Sequence, residues 1–248
     1  MKSDKLLDDP KTTVERIDII SNKKLLKSVY KDFYKIIKSE LKHSNKGQVV
    51  ELGSGAGFIK KEIKNVITTD IMDLPNVDKP KVDAEKMPFK SNSLSAIVML
   101  NVFHHINNPE KALKEFDRVL KKNGKIIMIE PSNTLFGRFL NQNFHHEEFK
   151  PNAGWKLTKK GPLSGGNGAI PWIVFERDSD IFKKKFNNLE IEKIEKHTIL
   201  KYILSGGFSK PQLVPDNLIV LVEIFERLLA PFSNYLGIFQ TIVLIKKS

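Results

Sequence analysis

The chain has 248 residues, of which 40% are hydrophobic, and it carries a formal net charge of +12. It contains no cysteine, which excludes disulfide bonds, iron–sulfur clusters held by cysteine and a cysteine nucleophile. No apolar run approaches the roughly 18 residues of a membrane span, and the first residues lack the apolar core of a signal peptide. We therefore expect a cytoplasmic protein in which residues 1–248 form one domain.

Residues 1–44 are predicted to form a helical cover over the rest of the chain. Apolar residues recur there at helical spacing, at Leu25, Leu26, Val29, Tyr30, Phe33, Ile36, Ile37 and Leu41. Lysines occupy the intervening positions, where they would solvate the outer face of the helix. This pattern indicates packing against a sheet.

A predicted buried strand at residues 49–52 runs directly into a glycine-spaced turn and then a helix. Gly53, Gly55 and Gly57 have no side chain that would block the close approach of a ligand. Backbone N–H groups at the start of the helix could face the polar end of that ligand. The pyrophosphate-binding pattern G-x-G-x-x-G would need glycine at position 58, where this chain has Phe58. The turn therefore favours a nucleotide-like ligand without a pyrophosphate.

A second predicted strand, residues 66–70, ends in the carboxylate of Asp70. This position lies close to the roughly 20-residue interval at which an acidic side chain meets a ribose in a βαβ unit. A carboxylate there accepts hydrogen bonds from both ribose hydroxyls and would repel a 2′-phosphate.

Five motifs, in this order along the chain, resemble those of the class I S-adenosylmethionine (SAM)-dependent methyltransferases, in particular the group called methyltransferase type 11. They are the E-L-G-x-G-x-G turn from Glu51, the acidic Asp70, the D-A-x-x-x-P-F segment at 83–89, the strand at 96–100, and R-V-L-K-K-N-G at 118–124 with its following strand at 126–130. The resemblance covers roughly residues 45–131, the predicted SAM-binding half.

The resemblance implies a doubly wound, Rossmann-like α/β fold with a seven-stranded sheet. The sheet would be mostly parallel with an antiparallel last strand, and an acceptor-side insertion would follow the fifth strand. SAM would be the methyl donor. The residues implied to bind it are Glu51, Gly53, Ser54, Gly55, Gly57, Asp70, Ile71, Asp83, Ala84, Asn101 and Val102.

Residues 132–248 are predicted to form the acceptor-side insertion and the C-terminal strands. The pattern predicts a strand near 189–194, a helix at 217–229 and a final strand at 238–245. The helix is apolar on most faces, which indicates deep packing, a dimer contact or a peripheral membrane contact. A glycine-rich stretch at 162–172 is either a lid over the site or a tight structural turn.

Two histidine-containing groups are candidates for acceptor chemistry. His104 and His105 follow the fourth predicted strand, and His145, His146 and Glu147 follow the fifth. Any of them could serve as a general base. The alternatives are that a histidine caps or packs a helix, and that the second group is a surface loop without chemistry. We predict no metal, because adjacent ligands point apart in regular structure.

The expected reaction is methylation of a hydroxyl on a small molecule, sugar or lipid-linked glycan. The Asn/Asp-Pro-Pro-aromatic motif of amine-methylating relatives is missing after residue 100, which argues against DNA adenine and protein glutamine as acceptors. Methylation of RNA or another protein remains an alternative, as does a SAM-binding protein without catalysis. Nucleic acid is the less favoured partner because the lysines are scattered and no recognisable nucleic-acid-binding motif accompanies them. The oligomeric state is not predicted.

Overall fold

The computed structural model describes residues 7–42, 47–144, 147–158 and 161–247. Within these residues the sheet strands are β1 (Gln48–Leu52), β2 (Val66–Thr68), β3 (Leu94–Leu100), β4 (Leu120–Pro131), β5 (Leu189–His197) and β6 (Phe239–Lys246). They form one sheet in the order β2-β1-β3-β4-β6-β5. β1, β2, β3 and β4 pair in parallel, whereas β6 runs antiparallel between β4 and β5. The Rossmann-like class and the antiparallel last strand are confirmed.

The described sheet has six strands, so the prediction of seven was wrong. The difference lies after β2, where the chain makes only two isolated bridges, Thr69 with Lys79 and Asp83 with Lys86. Lys81 has a left-handed backbone with φ of 58°. The Asp83 side chain accepts a hydrogen bond from the N–H of Glu85 at 2.8 Å, which turns the chain instead of extending it. The strands predicted as fourth and fifth are therefore β3 and β4.

Helices cover both faces of the sheet. They are α1 (Pro10–Asn22), α2 (Lys24–Leu41), α3 (Ile59–Glu62), α4 (Pro109–Val119), α5 (Leu135–Asn143), α6 (Ile170–Trp172), α7 (Ser179–Lys185), α8 (Lys201–Leu204), α9 (Ile219–Leu229) and α10 (Ser233–Leu236). Residues 132–188 separate β4 from β5 and contain α5, α6 and α7. That this segment is an insertion relative to other members of the family stays a prediction, as does the single domain.

Alternate residues of the strands enter two separate cores. Val50, Ile97, Ile126 and Leu244 lie side by side across four strands and belong to the core that α4 and α7 cover. One position further along, Val98, Ile127 and Val243 belong to the opposite core. The apolar stripe of α2 packs into this second core, which agrees with the predicted helical cover. Glu51 on β1 pairs with Val98 on β3, so their side chains lie on the same face of the sheet. The Glu51 carboxylate therefore lies beneath α2, close enough to Tyr34 to affect its pKa.

Helix α9 presents its acidic side chains to the protein and most of its apolar side chains to solvent. Its acidic residues face the protein: Glu226 accepts hydrogen bonds from the N–H groups of Leu200 at 2.8 Å and Lys201 at 3.0 Å, and Glu223 accepts from Ser28 at 3.1 Å. Of its apolar side chains only Val222 is buried. Of the three alternatives for this helix, deep packing is therefore contradicted, and the dimer and membrane contacts stay predictions. Among the described residues no helix is long and apolar enough to cross a membrane.

Candidate active site

A cavity of about 930 Å³ opens where β1, β3 and β4 end. All of the residues implied to bind SAM line this cavity, and so do His104, His105 and Glu147. Parallel strands bring these segments together because their carboxyl ends meet at one edge of the sheet. His145 and His146 lie outside the described residues.

The three glycines of the turn have different physical roles. Gly53 has φ of 62°, and a Cβ there would lie 2.5 Å from a methyl group of Val102. A Cβ at Gly57 would collide with the hydroxyl of Tyr34. At Gly55, with φ of 45°, the nearest atom to a Cβ would be 3.6 Å away. Gly53 and Gly57 are thus required by packing, whereas Gly55 is required by its left-handed backbone and borders open cavity.

Asp70 is held in place by backbone donors. Its Oδ2 accepts from the N–H of Gly55 at 3.0 Å, and its Oδ1 accepts from the N–H of Met72 at 2.9 Å. Burial raises the pKa of Asp70, while these hydrogen bonds act in the opposite direction. Each carboxylate oxygen can accept more than one hydrogen bond, so Asp70 retains acceptor capacity toward ribose hydroxyls.

Three buried polar atoms along the cavity have no hydrogen-bond partner among the described residues: Oε2 of Glu51, Oδ1 of Asn101 and Oγ1 of Thr13. Asn101 also has a left-handed backbone, with φ of 55°. The pKa of Glu51 is raised to about 8. Burial is the largest cause, nearby Asp70 acts in the same direction, and a hydrogen bond from Ser54 acts in the opposite direction. Unpaired buried polar atoms are costly, so this end of the cavity is suited to a polar ligand with cationic groups. SAM, with its ammonium and sulfonium groups, fits that requirement.

At the other end of the cavity, Glu130 fixes the position of His104. One oxygen of the fully buried Glu130 carboxylate accepts from the N–H groups of Val102 at 2.9 Å and Phe103 at 2.7 Å. Its other oxygen lies 2.5 Å from Nδ1 of His104. Burial alone would lower the pKa of His104, but Glu130 and Glu147 outweigh it and raise this pKa to about 10.

Glu147 bridges the two histidines. Its Oε2 lies 3.2 Å from Nε2 of His104, and its Oε1 lies 3.7 Å from Nε2 of His105. Nδ1 of His105 donates to the carbonyl oxygen of Gly165 at 2.8 Å. Burial, followed by the neighbouring His104, lowers the pKa of His105, so its imidazole is neutral at pH 7. The structure thus joins Glu147 to the histidine pair, although 42 positions separate Glu147 from His105 in the sequence.

The remaining cavity wall is largely apolar and is closed by the N-terminal segment. Its apolar residues are Leu140, Phe144, Leu163, Ile203, Phe208 and Leu213. Asp8 connects this wall to the start of α1: its Oδ1 accepts from the N–H groups of Leu163 and Ser164, both at 2.8 Å, and its Oδ2 accepts from the Ser164 hydroxyl at 2.5 Å. We refer to these contacts as the Asp8 clamp.

Sequence reasoning missed several residues of the site. Glu130 could have been found, because a charged residue at the end of an otherwise apolar strand is unusual. Tyr34, whose hydroxyl accepts from the N–H of Phe58 at 3.0 Å, belongs to the helical stripe and resembles an ordinary core residue. Asp8 and Arg16 carried no local signal, because their partners lie far away in the sequence.

Comparisons with known proteins agree with this geometry. A family model described as "Methyltransferase domain" matches residues 50–128. The chain is similar to the uncharacterized protein MJ1123 of Methanocaldococcus jannaschii, at 26% identity over 185 residues, covering 70% of this chain and 86% of that protein. It is also similar to the ubiquinone/menaquinone biosynthesis C-methyltransferase UbiE of Campylobacter jejuni, at 27% identity over 114 residues, or 45% of this chain and 46% of UbiE.

A solved structure has a similar fold over nearly the whole chain. It is a SAM-dependent methyltransferase from Thermotoga maritima, described as a possible histamine N-methyltransferase, with a TM-score of 0.56 and 21% identity. The match covers 88% of this chain and 89% of that chain. At this identity the likeness concerns the fold, and the match to UbiE covers less than half of either protein. The shape and chemistry of the cavity are therefore the main indication of the acceptor.

Proposed function

The chain belongs to the class I SAM-dependent methyltransferases, and on that premise we propose that it methylates a hydroxyl group of a lipid-borne acceptor. The proposal rests on one observation. The glycine turn, Asp70 and the His104–His105–Glu147 cluster all line the same cavity. Apolar side chains, among them Leu140, Leu163 and Phe208, make up much of the remaining cavity wall. Such a wall suits an acceptor with a large apolar body.

The turn end of the cavity would hold SAM. Asp70 would accept hydrogen bonds from the ribose hydroxyls, and Glu51 would lie near the cationic groups of the methionine part. Arg16, whose guanidinium lies 5.1 Å from the centre of the Phe208 ring, lines the same end and would pair with the methionine carboxylate. When bound, SAM supplies a methyl group already activated by the sulfonium. The protein then has to align the acceptor oxygen with the methyl carbon.

The acceptor hydroxyl would lie against the histidine–glutamate cluster. Glu147 and the neutral His105 both offer lone pairs at the cavity, and these can accept a hydrogen bond from the hydroxyl. Glu130 and Gly165 fix the two imidazole rings, so the position of the hydroxyl would be fixed too. A displacement reaction has a lower barrier when the acceptor is already held in line with the methyl group, so fixed rings contribute more to the rate than an additional flexible contact would.

The apolar surface beside the cavity supports an acceptor drawn from an anionic lipid surface. Phe144 and Leu213 both line the cavity and are 65% and 58% exposed. They are accompanied by the outward face of α9, where Val220 and Leu228 are each 64% exposed. The net charge of +12 complements anionic lipids. We infer that this face rests on the membrane surface, with the cavity mouth beside it.

A second candidate is methylation of a ring carbon next to a phenolic hydroxyl. The similarity to UbiE, whose name describes a quinone C-methyltransferase, favours it. The same cavity can serve both reactions, because an ionised phenol is nucleophilic at oxygen and at the adjacent ring carbon.

The product of the reaction distinguishes the two candidates. The protein is incubated with SAM carrying a ¹³C-labelled methyl group and with either the lipid extract or the aqueous extract of cells that produce it. We expect label in the lipid fraction as a methyl ether and, at a limiting SAM concentration, much less of it with the Asp70→Ala variant. A methyl group on a ring carbon would support the second candidate. Label confined to aqueous products, RNA or protein would contradict both.

A further inference from the structure

We propose that His104, His105 and Glu147 together bind one divalent transition-metal ion of the Zn²⁺ class. One ring nitrogen of each histidine and one carboxylate oxygen of Glu147 lie within 4.8 Å of one another, and all three residues line the cavity. None of the motifs used to identify the family includes this trio, because Glu147 comes from a segment that follows β4.

The orientation of both histidines is the first argument. Nδ1 of His104 lies 2.5 Å from the carboxylate of Glu130, and Nδ1 of His105 lies 2.8 Å from the carbonyl oxygen of Gly165. Both partners are hydrogen-bond acceptors, so both Nδ1 atoms carry protons. Each Nε2 is therefore the atom available for coordination. Metal-binding histidines are held in this way, with the other ring nitrogen donating to a carboxylate or carbonyl.

The spacing is the second argument. Nε2 of His104 is 3.2 Å from Oε2 of Glu147, and Nε2 of His105 is 3.7 Å from Oε1. Ligands that bind a zinc ion at about 2.0–2.2 Å lie roughly 3–3.5 Å apart in a tetrahedral site. The three groups thus need only small movements to share one ion. Without an ion, a proton on Nε2 of His104 links that ring to Glu147, and the ion would replace this proton.

The ligand set selects the kind of ion. Two imidazoles and one carboxylate suit Zn²⁺ and neighbouring transition metals, whereas Mg²⁺ and Ca²⁺ prefer oxygen ligands. Three protein ligands at the wall of a cavity also leave a position open toward it. This is the arrangement of catalytic, as opposed to structural, zinc sites.

The chemical role of the ion rests on the proposed function, whereas its binding does not. The acceptor hydroxyl would take the open position and transfer its proton to a hydroxide on the ion, which leaves as water. The acceptor oxygen would then form its bond to the methyl carbon while the carbon–sulfur bond breaks. The electron pair of that bond stays on sulfur, giving S-adenosylhomocysteine and the methyl ether. A new water would bind to the ion and lose a proton to solvent.

The test measures metal binding without any acceptor. Protein stripped of metal is titrated with Zn²⁺ by calorimetry and with Co²⁺ by visible absorption. We expect one ion per chain and the absorption of four-coordinate Co²⁺. Glu147→Gln should weaken Zn²⁺ binding by roughly 100-fold or more, since it removes a ligand. Glu148→Gln is the matched control, because its carboxylate pairs with Lys150 at 2.6 Å, and it should bind Zn²⁺ normally.

A second variant tests the orientation of the ring. In Glu130→Gln the amide oxygen can keep the backbone hydrogen bonds, while the amide N–H₂ faces Nδ1 of His104 and favours the tautomer with a proton on Nε2. We expect zinc affinity to fall about 10- to 100-fold while SAM affinity is retained. Fewer than one ion per two chains, or equal binding by the Glu147→Gln and Glu148→Gln variants, would overturn the metal site. Normal metal binding without methylation of lipids would instead contradict the proposed function.

Discussion

Glu51 shows how one residue can lower the stability of the free protein in favour of a ligand. Its carboxylate is buried and has one unpartnered oxygen, and its pKa is about 8 in the folded chain. Because this value lies above the ordinary value of 4.5, folding is penalised increasingly as the pH rises from about 4.5 to about 8. A cationic ligand would favour the ionised form and offset this penalty.

We therefore expect Glu51→Gln to stabilise the ligand-free protein at pH 8 by roughly 1–3 kcal/mol, and by less at pH 6. The same variant should bind SAM more weakly, because glutamine carries no negative charge. Thermal unfolding at both pH values, with and without SAM, measures both effects. A stabilisation that is equal at pH 6 and pH 8, with unchanged SAM affinity, would contradict this role for Glu51.

Asp70 gives the most direct test of the cofactor end. We expect Asp70→Ala to lose about 1–3 kcal/mol of SAM affinity, the scale of hydrogen bonds to a charged group. Asp73→Ala is the matched control, because its carboxylate is 62% exposed and pairs with Lys81 outside the cavity. Calorimetry should show normal SAM affinity for the control. Equal affinity in both variants would argue against ribose recognition by Asp70.

The glycines of the turn should respond differently to the same small change. Gly55→Ala should keep the fold and weaken SAM binding, because the methyl group would lie beside the cavity, 3.6 Å from Thr13, and the left-handed backbone costs about 1–2 kcal/mol. Gly57→Ala should mainly lower the melting temperature, because the methyl group collides with the hydroxyl of Tyr34. Melting curves and SAM titrations of the two variants compare the effects. The interpretation fails if Gly57→Ala is as stable as the unaltered chain.

At the scale of elements, the sequence predicted those whose signals are local. The strand–turn–helix at Gly53, the strand before Asn101 and the helix of Tyr30 were found because hydrophobic periodicity and turn residues act over a few positions. The resemblance implied a seventh strand without placing it, and the left-handed Lys81 and the turn at Asp83 keep the segment between β2 and β3 from supplying one. The apolar composition of α9 could not show that its acidic residues face inward.

Helix α9 carries the prediction about membranes. We expect Phe225→Ser with Leu228→Ser to reduce binding to phosphatidylglycerol vesicles by about 10- to 100-fold, because both exposed side chains would lose burial in lipid. Ile181→Ser on α7, which is 48% exposed, is the matched control and should bind normally. Vesicle sedimentation measures the difference. A dimer that dissociates in the double variant would show instead that a second copy covers this face.

At the scale of the whole molecule, the acceptor end was the least predictable part. The sequence suggested that the His104–His105 pair and the group containing Glu147 could meet, but only the folded chain shows Glu147 within 3.2 Å of His104. Their meeting depends on contacts between segments far apart in the sequence, and such contacts leave no periodic pattern in it. The cofactor end was predictable because a single βαβ unit builds most of it.

The Asp8 clamp has a consequence for the rates of ligand exchange. It joins the first described turn of the chain to Leu163, which lines the cavity. Because the clamp holds a residue of the cavity wall in place, we expect ligands to enter and leave through a brief opening of it. Asp8→Ala should therefore raise the association and dissociation rates of S-adenosylhomocysteine together, leaving the dissociation constant nearly unchanged. Stopped-flow displacement of a fluorescent analogue would measure both rates, and a change in only one would show that the clamp favours one bound state.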